Sequence, residues 1–260
     1  MTEMNARGAG TAFVVIPALN EERAIRAVVV DALAQCANVV VVDDGSSDGT
    51  SAAIADLAVE RIRHAQPLGK ARALQDGFRR ALELGASGVL TMDGDGQHAG
   101  ADLPRLLAAA ARYPDHIVIG ARLLERDAQP GKNRFGNAQA DWWVSWACGQ
   151  RIVDSQSGQR YYPRKVLQLA IEMTHQGFVF ESAILIEAAR RGIPTLSVPI
   201  AASYAEGRRA SHFKPFRDVT KITRMIAWRL LRSGFAPRNY WRARTVPPLI
   251  FNPDSASARN

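Results

Sequence analysis

Two aspartates separated by one glycine follow an apolar stretch in GVLTMDGDGQH, residues 88–98. Asp93 and Asp95 would repel each other unless something positive lay between them, because nearby like charges disfavour ionisation. A divalent ion, a basic side chain or water could separate the two charges. Hard oxygen ligands suit Mg²⁺ or Mn²⁺, which would bridge these carboxylates to a diphosphate, and Gln97 offers a third oxygen. The candidate metal ligands are therefore Asp93, Asp95 and Gln97.

Polar residues also follow three other apolar stretches. Asn20 and Glu21 come after AFVVIPA, Asp43 and Asp44 after NVVVV, and Arg122 after HIVIGA. A single aspartate after a strand is usually a turn former or a helix cap, and Asp44 could be only that. Because the pattern recurs at four strand ends, we expect a ligand site in which Asp43 and Asp44 contact the ribose or base of a nucleotide.

The motifs of two common nucleotide sites are absent from this turn. DDGSSDGT is not followed by the Gly-Lys-Ser or Gly-Lys-Thr of a Walker phosphate loop, and it lacks the G-x-G-x-x-G spacing of dinucleotide-binding folds. The sequence thus disfavours the common ATP-binding and NAD-binding folds.

The elements that position these residues alternate between strands and helices. Short β-branched runs predict buried strands, and apolar residues at helical spacing predict helices between them, including one over 51–60. This alternation predicts an α/β, Rossmann-like, mostly parallel sheet with helices on both faces, in one domain over residues 12–205. Ligands of such sheets bind at the carboxyl ends of the strands, where the polar residues lie.

Composition and charge set the broad class of protein. The chain has 260 residues, 47% of them hydrophobic, and two distant cysteines, which is typical of a globular protein in a reducing compartment. MTEMNARGAG has no apolar core, and no run of about 18 apolar residues follows, so neither a leader nor a membrane span is expected. The net charge is +8, and residues 208–244, with eleven Lys and Arg and one Asp, carry +10 while the rest of the chain carries −2.

The basic segment predicts a phosphate-rich partner. From Phe216 onward, apolar residues fall on one face of a helix and basic residues on another, which predicts a basic amphipathic helix within residues 206–244. Such a helix suits an anionic membrane surface, although it could equally pack on the domain with its charges in water. Aromatic residues interleaved for base stacking are not evident, so no nucleic acid is expected. The Pro-, Ser- and Asn-rich residues 245–260 predict a disordered tail.

Taken together, the motifs resemble family 2 glycosyltransferases with the GT-A fold, nearest the dolichyl- and polyprenyl-phosphate sugar synthases. The resemblance covers about residues 12–218. The motifs are VVIPALNEE (14–22), VVVVDDGSSDGT (39–50), PLGKARALQDGF (67–78), MDGDGQH (92–98), SGQRYY (157–162), GFVFESAILIEAARRG (177–192) and SYAEGRRASHFKPFRD (203–218).

The resemblance implies roles for individual residues. It implies Mg²⁺ or Mn²⁺ on the donor diphosphate, acceptor-phosphate contacts from Arg122 and Arg134, and a mobile clamp over both phosphates from residues 208–211. The candidate catalytic residues are Asp95, Arg122, Arg134, Asp154 and Glu181. The candidate substrate-binding residues are Pro17, Asn20, Glu21, Asp43, Asp44, Lys70, Asp93, Gln97, Arg208, Arg209 and Ser211. Gln159 stands where the family more often has an aromatic residue.

The chemistry of the acceptor decides whether a base is needed. An alcohol requires a general base, for which Asp154 and Glu181 are candidates, whereas a phosphate monoester arrives as an anion. The expected function is an inverting, metal-dependent transfer of sugar from a nucleotide-sugar donor to a polyprenyl phosphate at the cytoplasmic membrane face. The alternative is a glycosyltransferase that uses a hydroxyl acceptor on a glycan, protein or small molecule.

Overall fold

Seven strands form one sheet in the order β3-β2-β1-β4-β6-β5-β7. The computed structural model describes residues 11–96, 99–124, 131–174, 179–201, 215–232 and 234–252, with the backbone alone for 131–135 and 215–222. The strands are β1 Ala12–Ala18, β2 Val39–Asp43, β3 Glu60–Arg63, β4 Gly88–Thr91, β5 Ile117–Ala121, β6 Arg160–Pro163 and β7 Thr195–Pro199.

Helices cover both faces of this sheet, each with its own apolar core. One core joins alternate strand residues such as Val15 and Val42 to α2, α4, α5, α6 and α7, and the other joins Val14 and Val41 to α1 and α3. The helices are α1 Ile25–Leu33, α2 Lys70–Glu83, α3 Leu103–Arg112, α4 Gly131–Cys148, α5 Arg164–Ile171, α6 Val179–Arg190, α7 Pro215–Arg232 and α8 Pro237–Thr245. The predicted α/β class and two-sided helical covering are confirmed.

All strand pairs in the sheet are parallel except those of β6, which runs antiparallel to both β4 and β5. Parallel strands such as β2 and β5 are buried on both faces, which is why they appear as continuous apolar runs in the sequence, whereas the outer strand β3 is not fully buried. Because β6 is reversed, β6 itself starts at the edge of the sheet where the other strands end, and the loop that precedes it leads into that edge. That edge carries the candidate site.

The helix predicted over 51–60 is wrong. The structure has only a short 3-10 turn at Ala52–Ile54, and β3 begins at Glu60. Ten residues are too few for a helix to be stable without an apolar face against the core, and Ile54 is the one fully buried side chain within the turn.

The C-terminal part differs from the expected disordered tail. Residues 246–252 follow α8, and Leu249 and Phe251 exchange backbone hydrogen bonds of 2.9 Å with Ser197 of β7, at the edge of the sheet. Ile250 thereby forms a parallel bridge to Ser197, which composition alone does not indicate. Residues 253–260 lie outside the described part of the chain.

The predicted basic helix corresponds to α7. Its Ile226 and Leu230 are buried in the core, whereas Arg224 and Arg232 are exposed. The side chains of Phe216, Val219 and Ile222 lie outside the described residues. Among the described helices, none is both long enough and apolar enough to cross a bilayer.

Candidate active site

A pocket of about 230 Å³ opens at the carboxyl ends of β1, β2 and β4. The ends of these parallel strands lie side by side, so residues far apart in the sequence meet there. Of the predicted site residues, the pocket is lined by Pro17, Glu21, Asp44, Lys70, Asp93 and Asp95.

The loops after β1 and β2 are locked to each other by their own polar side chains. Asn20 has a left-handed φ of 57°, and its backbone N–H donates to the Ser46 hydroxyl at 2.9 Å. Asn20 Oδ1 accepts the backbone N–H of Ser47 at 2.9 Å, and the Glu21 N–H donates to the Thr50 hydroxyl at 2.8 Å. Asn20 does not line the pocket, and its described contacts shape the loop around it.

Asp43 also stabilises the loop that follows β2. It is buried, it accepts the Ser46 N–H at 2.9 Å and the Ser51 hydroxyl, and it does not line the pocket. Burial alone would raise the pKa of Asp43, but hydrogen bonds from Ser46 and Ser51 outweigh it and hold the pKa below its usual value. We therefore interpret Asp43 as a loop-fixing residue.

Asp44 holds the backbone at Leu68 and Gly69, and Gly69 lines the pocket. Its carboxylate accepts the backbone N–H groups of Leu68 and Gly69 at 2.8 and 2.7 Å, and it lies 2.7 Å from Nδ1 of His64. The other nitrogen of His64 lies 3.2 Å from Asp76. Gly45 is required beside it, because its φ is +75° and a Cβ there would lie 2.5 Å from the Gln66 carbonyl carbon.

The positive group beside Asp93 is a lysine. The Lys70 ammonium lies 2.7 Å from Asp93 Oδ1 and 3.0 Å from Glu181 Oε2, and all three side chains are largely shielded from water. Burial alone would lower the pKa of Lys70, but Asp93 and Glu181 outweigh it, so the pKa is raised and the lysine stays charged. Thus Glu181, at the start of α6, joins the pocket through Lys70.

Asp95 and Asp93 are the described residues that fit a divalent ion. Mg²⁺ is commonly bound by one or two carboxylates together with substrate phosphates, and both carboxylates line the pocket. The described residues contain no group of three His, Cys, Asp or Glu that could form a complete cage. The donor set therefore fits an ion that is shared with a bound diphosphate. Gln97 lies outside the described residues.

Arg122 and Asp154, predicted for separate roles, bind each other. Nε and Nη2 of Arg122 donate to the two oxygens of Asp154 at 2.7 and 2.6 Å, and the Arg122 backbone N–H adds a bond of 2.9 Å. This two-pronged arrangement is the strongest geometry for an arginine–carboxylate pair. Asp154 holds a left-handed φ of 55°, which places its side chain against the end of β5.

Asp141 of α4 holds the backbone on which the acidic member of this pair, Asp154, is carried. Its two oxygens accept the backbone N–H groups of Asp154 and Ser155 at 2.9 and 2.7 Å. Burial, followed by the nearby charge of Asp154, raises the pKa of Asp141 to about 6 despite these hydrogen bonds. Asp141 was not among the residues predicted from the sequence, although an acid beside Trp142 and Trp143 in a helix is an unusual placement.

Arg160 of β6 ties the two halves of the site together. Its buried guanidinium donates to the backbone carbonyls of Ser155, Ser157 and Glu181 at 2.6, 2.7 and 3.1 Å. The loop it holds brings Gly158 against Asp93, so close that a Cβ on Gly158 would lie 2.1 Å from Asp93 Oδ2. Arg160 and Gly158 lie within the SGQRYY motif but were not assigned a role from the sequence.

The predicted site residues fall into two neighbouring groups, and some of them lie outside the described residues. Lys70, Asp93, Asp95 and Glu181 gather at the pocket, and Arg122 pairs with Asp154 beside it. Arg134 lies on α4, but its side chain is not described. Arg208, Arg209 and Ser211 lie outside the described residues. Gln159, at the departure from the family motif, is buried and donates to the Ala99 carbonyl at 3.2 Å.

Comparisons with known proteins agree with this architecture. A structural search finds glucosyl-3-phosphoglycerate synthase from Mycobacterium tuberculosis, crystallised with Mn²⁺, uridine diphosphate and glucosyl-3-phosphoglycerate. It superposes with a TM-score of 0.64 at 21% identity, covering 86% of this chain and 80% of that one. At that identity the match shows the fold, which is GT-A.

Sequence relatives are closer and carry more specific names. The chain is 29% identical over 216 residues to UDP-N-acetylglucosamine–dolichyl-phosphate N-acetylglucosaminyltransferase of Methanococcus voltae, covering 75% of this chain and 86% of the relative. It is 30% identical over 207 residues to polyprenol monophosphomannose synthase of Mycolicibacterium smegmatis, covering 74% and 77%. The sequence profile described as glycosyl transferase family 2 matches residues 13–167. The chain therefore belongs to glycosyltransferase family 2, and its relatives include dolichyl- and polyprenyl-phosphate sugar transferases.

Proposed function

We propose that this glycosyltransferase transfers a sugar from a nucleotide to the phosphate of a polyprenyl, dolichyl-like phosphate, with inversion at the anomeric carbon. The proposal rests on one observation, which is that both candidate bases are already bound to basic side chains. Asp154 already accepts three N–H bonds from Arg122, and Glu181 is paired with Lys70. Each candidate base is therefore already engaged by a cation in the arrangement described. An acceptor that arrives without a proton fits this site better.

The donor side of the reaction fits the pocket at β1, β2 and β4. Asp95 and Asp93 would hold Mg²⁺ or Mn²⁺ there, and that ion supplies positive charge to the departing diphosphate. Lys70 adds a further cation whose ammonium is already fixed beside Asp93. Asp44 and Asn20 keep the pocket walls in place for the nucleoside through their bonds to the surrounding loops.

The acceptor side fits an anion. A phosphate monoester has a second pKa of about 6 and is mostly a dianion at neutral pH. One of its oxygens attacks the anomeric carbon, the bond from that carbon to the diphosphate oxygen breaks, and the nucleoside diphosphate leaves without any proton transfer. Arg122, oriented by Asp154, contributes positive charge on this side, where two negatively charged groups must approach each other. In our proposal Arg134, Arg208, Arg209 and Ser211 contact the same phosphates.

The names of the relatives support both substrates. The Methanococcus voltae protein is named for a donor, UDP-N-acetylglucosamine, and an acceptor, dolichyl phosphate, and the Mycolicibacterium smegmatis protein is named for its product, polyprenol monophosphomannose. The Mycobacterium tuberculosis structure holds Mn²⁺ and uridine diphosphate in a protein of the same fold. Since a polyprenyl chain resides in a bilayer, we place the enzyme on the cytoplasmic face of the membrane as a peripheral protein.

The proposal is tested with two acceptors that differ only at the reacting group. Purified full-length protein is incubated with a panel of nucleotide sugars, Mg²⁺ or Mn²⁺, and either a short polyprenyl phosphate or the matching polyprenol. Mass spectrometry should detect a sugar adduct of the phosphate, lost on chelation, with little product from the alcohol. Transfer to the polyprenol, or to a glycan or small-molecule hydroxyl in a parallel arm, at an equal or higher rate would overturn the proposal. Undiminished transfer with chelator present would remove the metal from it.

A further inference from the structure

Large apolar side chains are exposed on the last two helices. The exposed fractions are 61% for Trp228 and 54% for Leu231 on α7, 56% for Phe235 in the turn, and 63% for Trp241 on α8. These four residues, which we name the α7–α8 surface, fall within 14 positions of one another. Trp228 and Leu231 are three positions apart on α7 and therefore share a helix face, and exposed hydrophobic residues of this size are typical of an interaction site.

The side of α7 that packs on the protein is a different one. Ile226 and Leu230 are buried in the core shared with α4 and α6, so the apolar residues expected from the sequence to face a bilayer are partly used for folding. The α7–α8 surface remains outside that core. Membrane contact through this helix therefore has to involve Trp228 and Leu231 and not the buried pair.

Positive charge surrounds the exposed apolar residues. Residues 219–252 contain seven Lys and Arg and no Asp or Glu. The Arg232 guanidinium lies 5.8 Å from the centre of the Trp228 ring, and Arg244 donates to the Tyr240 hydroxyl at 2.8 Å. Arginines beside tryptophan and tyrosine rings suit the boundary of an anionic bilayer, where the rings enter the headgroup region and the cations meet lipid phosphates.

From these observations we propose that the α7–α8 surface docks the enzyme on an anionic lipid bilayer, with Phe235 and Trp241 inserted at the interface. The proposal rests on the proposed function for its purpose, which is to bring the site to a lipid-borne acceptor. Charge complementarity favours an anionic surface. The apolar residues favour a bilayer over nucleic acid, which offers no hydrocarbon for Leu231 or Phe235.

Helix α4 connects this surface to the acceptor side of the site. Trp146 of α4 donates to the Phe235 carbonyl at 3.0 Å, and its ring contacts Tyr240 at 5.2 Å. Five residues earlier on the same helix, Asp141 holds the backbone of Asp154, the partner of Arg122. A bilayer bound at α7–α8 is thus connected through one helix to the Arg122–Asp154 pair.

The test measures binding of the full chain to vesicles. Sedimentation with vesicles of phosphatidylcholine alone is compared with vesicles that contain phosphatidylglycerol, across a range of salt concentrations. We expect binding that requires phosphatidylglycerol and weakens as salt rises, because surface attraction is screened. The double variant Phe235→Ala/Trp241→Ala should bind at least about 10-fold more weakly. Arg238→Glu/Arg242→Glu should lose about 5-fold or more per residue changed.

Matched controls remove an exposed leucine and an exposed arginine elsewhere. Leu84→Ala, at the end of α2, and Arg61→Glu, on the β3 edge, should bind vesicles as the wild type does. Equal loss in these controls, unchanged binding in the α7–α8 variants, or tighter binding to an oligonucleotide than to vesicles would overturn the proposal.

Activity on a short polyprenyl phosphate in solution separates this inference from the proposed function. The α7–α8 variants should keep that activity and lose transfer to a long-chain acceptor embedded in vesicles. If the wild type is active in solution but does not bind vesicles, the docking proposal alone is wrong. If it binds vesicles but never glycosylates the phosphate, the proposed function is wrong and docking stands.

Discussion

Adding one methyl group at Gly158 tests whether the position of Asp93 matters to the reaction. In Gly158→Ala the new Cβ would lie 2.1 Å from Oδ2 and 2.6 Å from Cγ of Asp93. Since ordinary contact begins at 3.4 Å, the Asp93 carboxylate must move by the difference, about 1.3 Å. Such a shift would break the 2.7 Å contact between Asp93 and Lys70 and change the donor set for the metal ion.

The expected effect falls on activity more than on stability. A displacement of about 1 Å in a reacting group can cost about 100-fold in rate, so kcat/KM for the nucleotide sugar should fall by roughly that factor. The free energy of unfolding should fall by only about 1 kcal/mol, because the Asp93 side chain can rotate away. Alanine is compatible with the backbone of Gly158, whose φ is not in the left-handed region.

The assay combines steady-state kinetics, Mn²⁺ titration and urea unfolding. Gly136→Ala on α4 is the matched control, because a Cβ there meets nothing within 4 Å, and kcat/KM should stay within about twofold of the wild type. A Gly158→Ala enzyme with wild-type kcat/KM and Mn²⁺ affinity would refute the reasoning that Asp93 must stay beside Lys70.

Three further predictions concern the charged residues. Arg122→Gln and Asp154→Asn should each destabilise the fold by about 3 kcal/mol, because each change removes the two-pronged partner of a largely buried charge. The double variant should lose clearly less than their sum, and additive losses in urea unfolding would contradict this. Burial raises the pKa of Asp141 from 3.8 to about 6, so the folded protein holds the Asp141 proton more tightly than the unfolded chain does. Protonated Asp141 therefore stabilises the fold at low pH, and this contribution to the unfolding free energy is lost as the pH rises from about 4 to 6. The unfolding free energy of Asp141→Asn relative to wild type should therefore rise by up to about 3 kcal/mol between pH 4 and pH 7, and a flat difference would show that Asp141 titrates normally. Asp95→Asn should reduce turnover about 100-fold or more and weaken Mn²⁺ binding. Asp43→Asn should instead lower the stability of the fold and leave the Mn²⁺ affinity unchanged. Equal Mn²⁺ affinity in the two variants would show that Asp95 is not a metal ligand.

The strand framework was predictable because local sequence encodes it. Strands such as Val39–Asp43 are continuous apolar runs that end in turn residues, so both their burial and the polar cluster at their carboxyl ends follow from the sequence. The reversed strand Arg160–Pro163 was not predicted, because four residues with a buried arginine carry no clear period.

The pairing of charges could not be predicted, because it depends on distant parts of the chain. Lys70 meets Glu181 only when α2 and α6 cover the same face of the sheet, and Arg122 meets Asp154 across 32 positions. Residue types alone suggested a base and a phosphate-binding arginine. The structure shows that Arg122 and Asp154 form an ion pair, which engages the candidate base and orients the arginine.

The segment that pairs with β7 also affects how this protein can associate with other molecules. An exposed edge strand offers unpaired N–H and C=O groups to any other extended chain. Leu249 and Phe251 occupy those groups at Ser197, and the Phe251 ring packs edge-on against Tyr113, 5.7 Å away. A protease cut anywhere between α7 and Leu249 would allow this cover to leave. The fragment would keep its pocket and most of its core, yet it would have an open sheet edge that favours self-association.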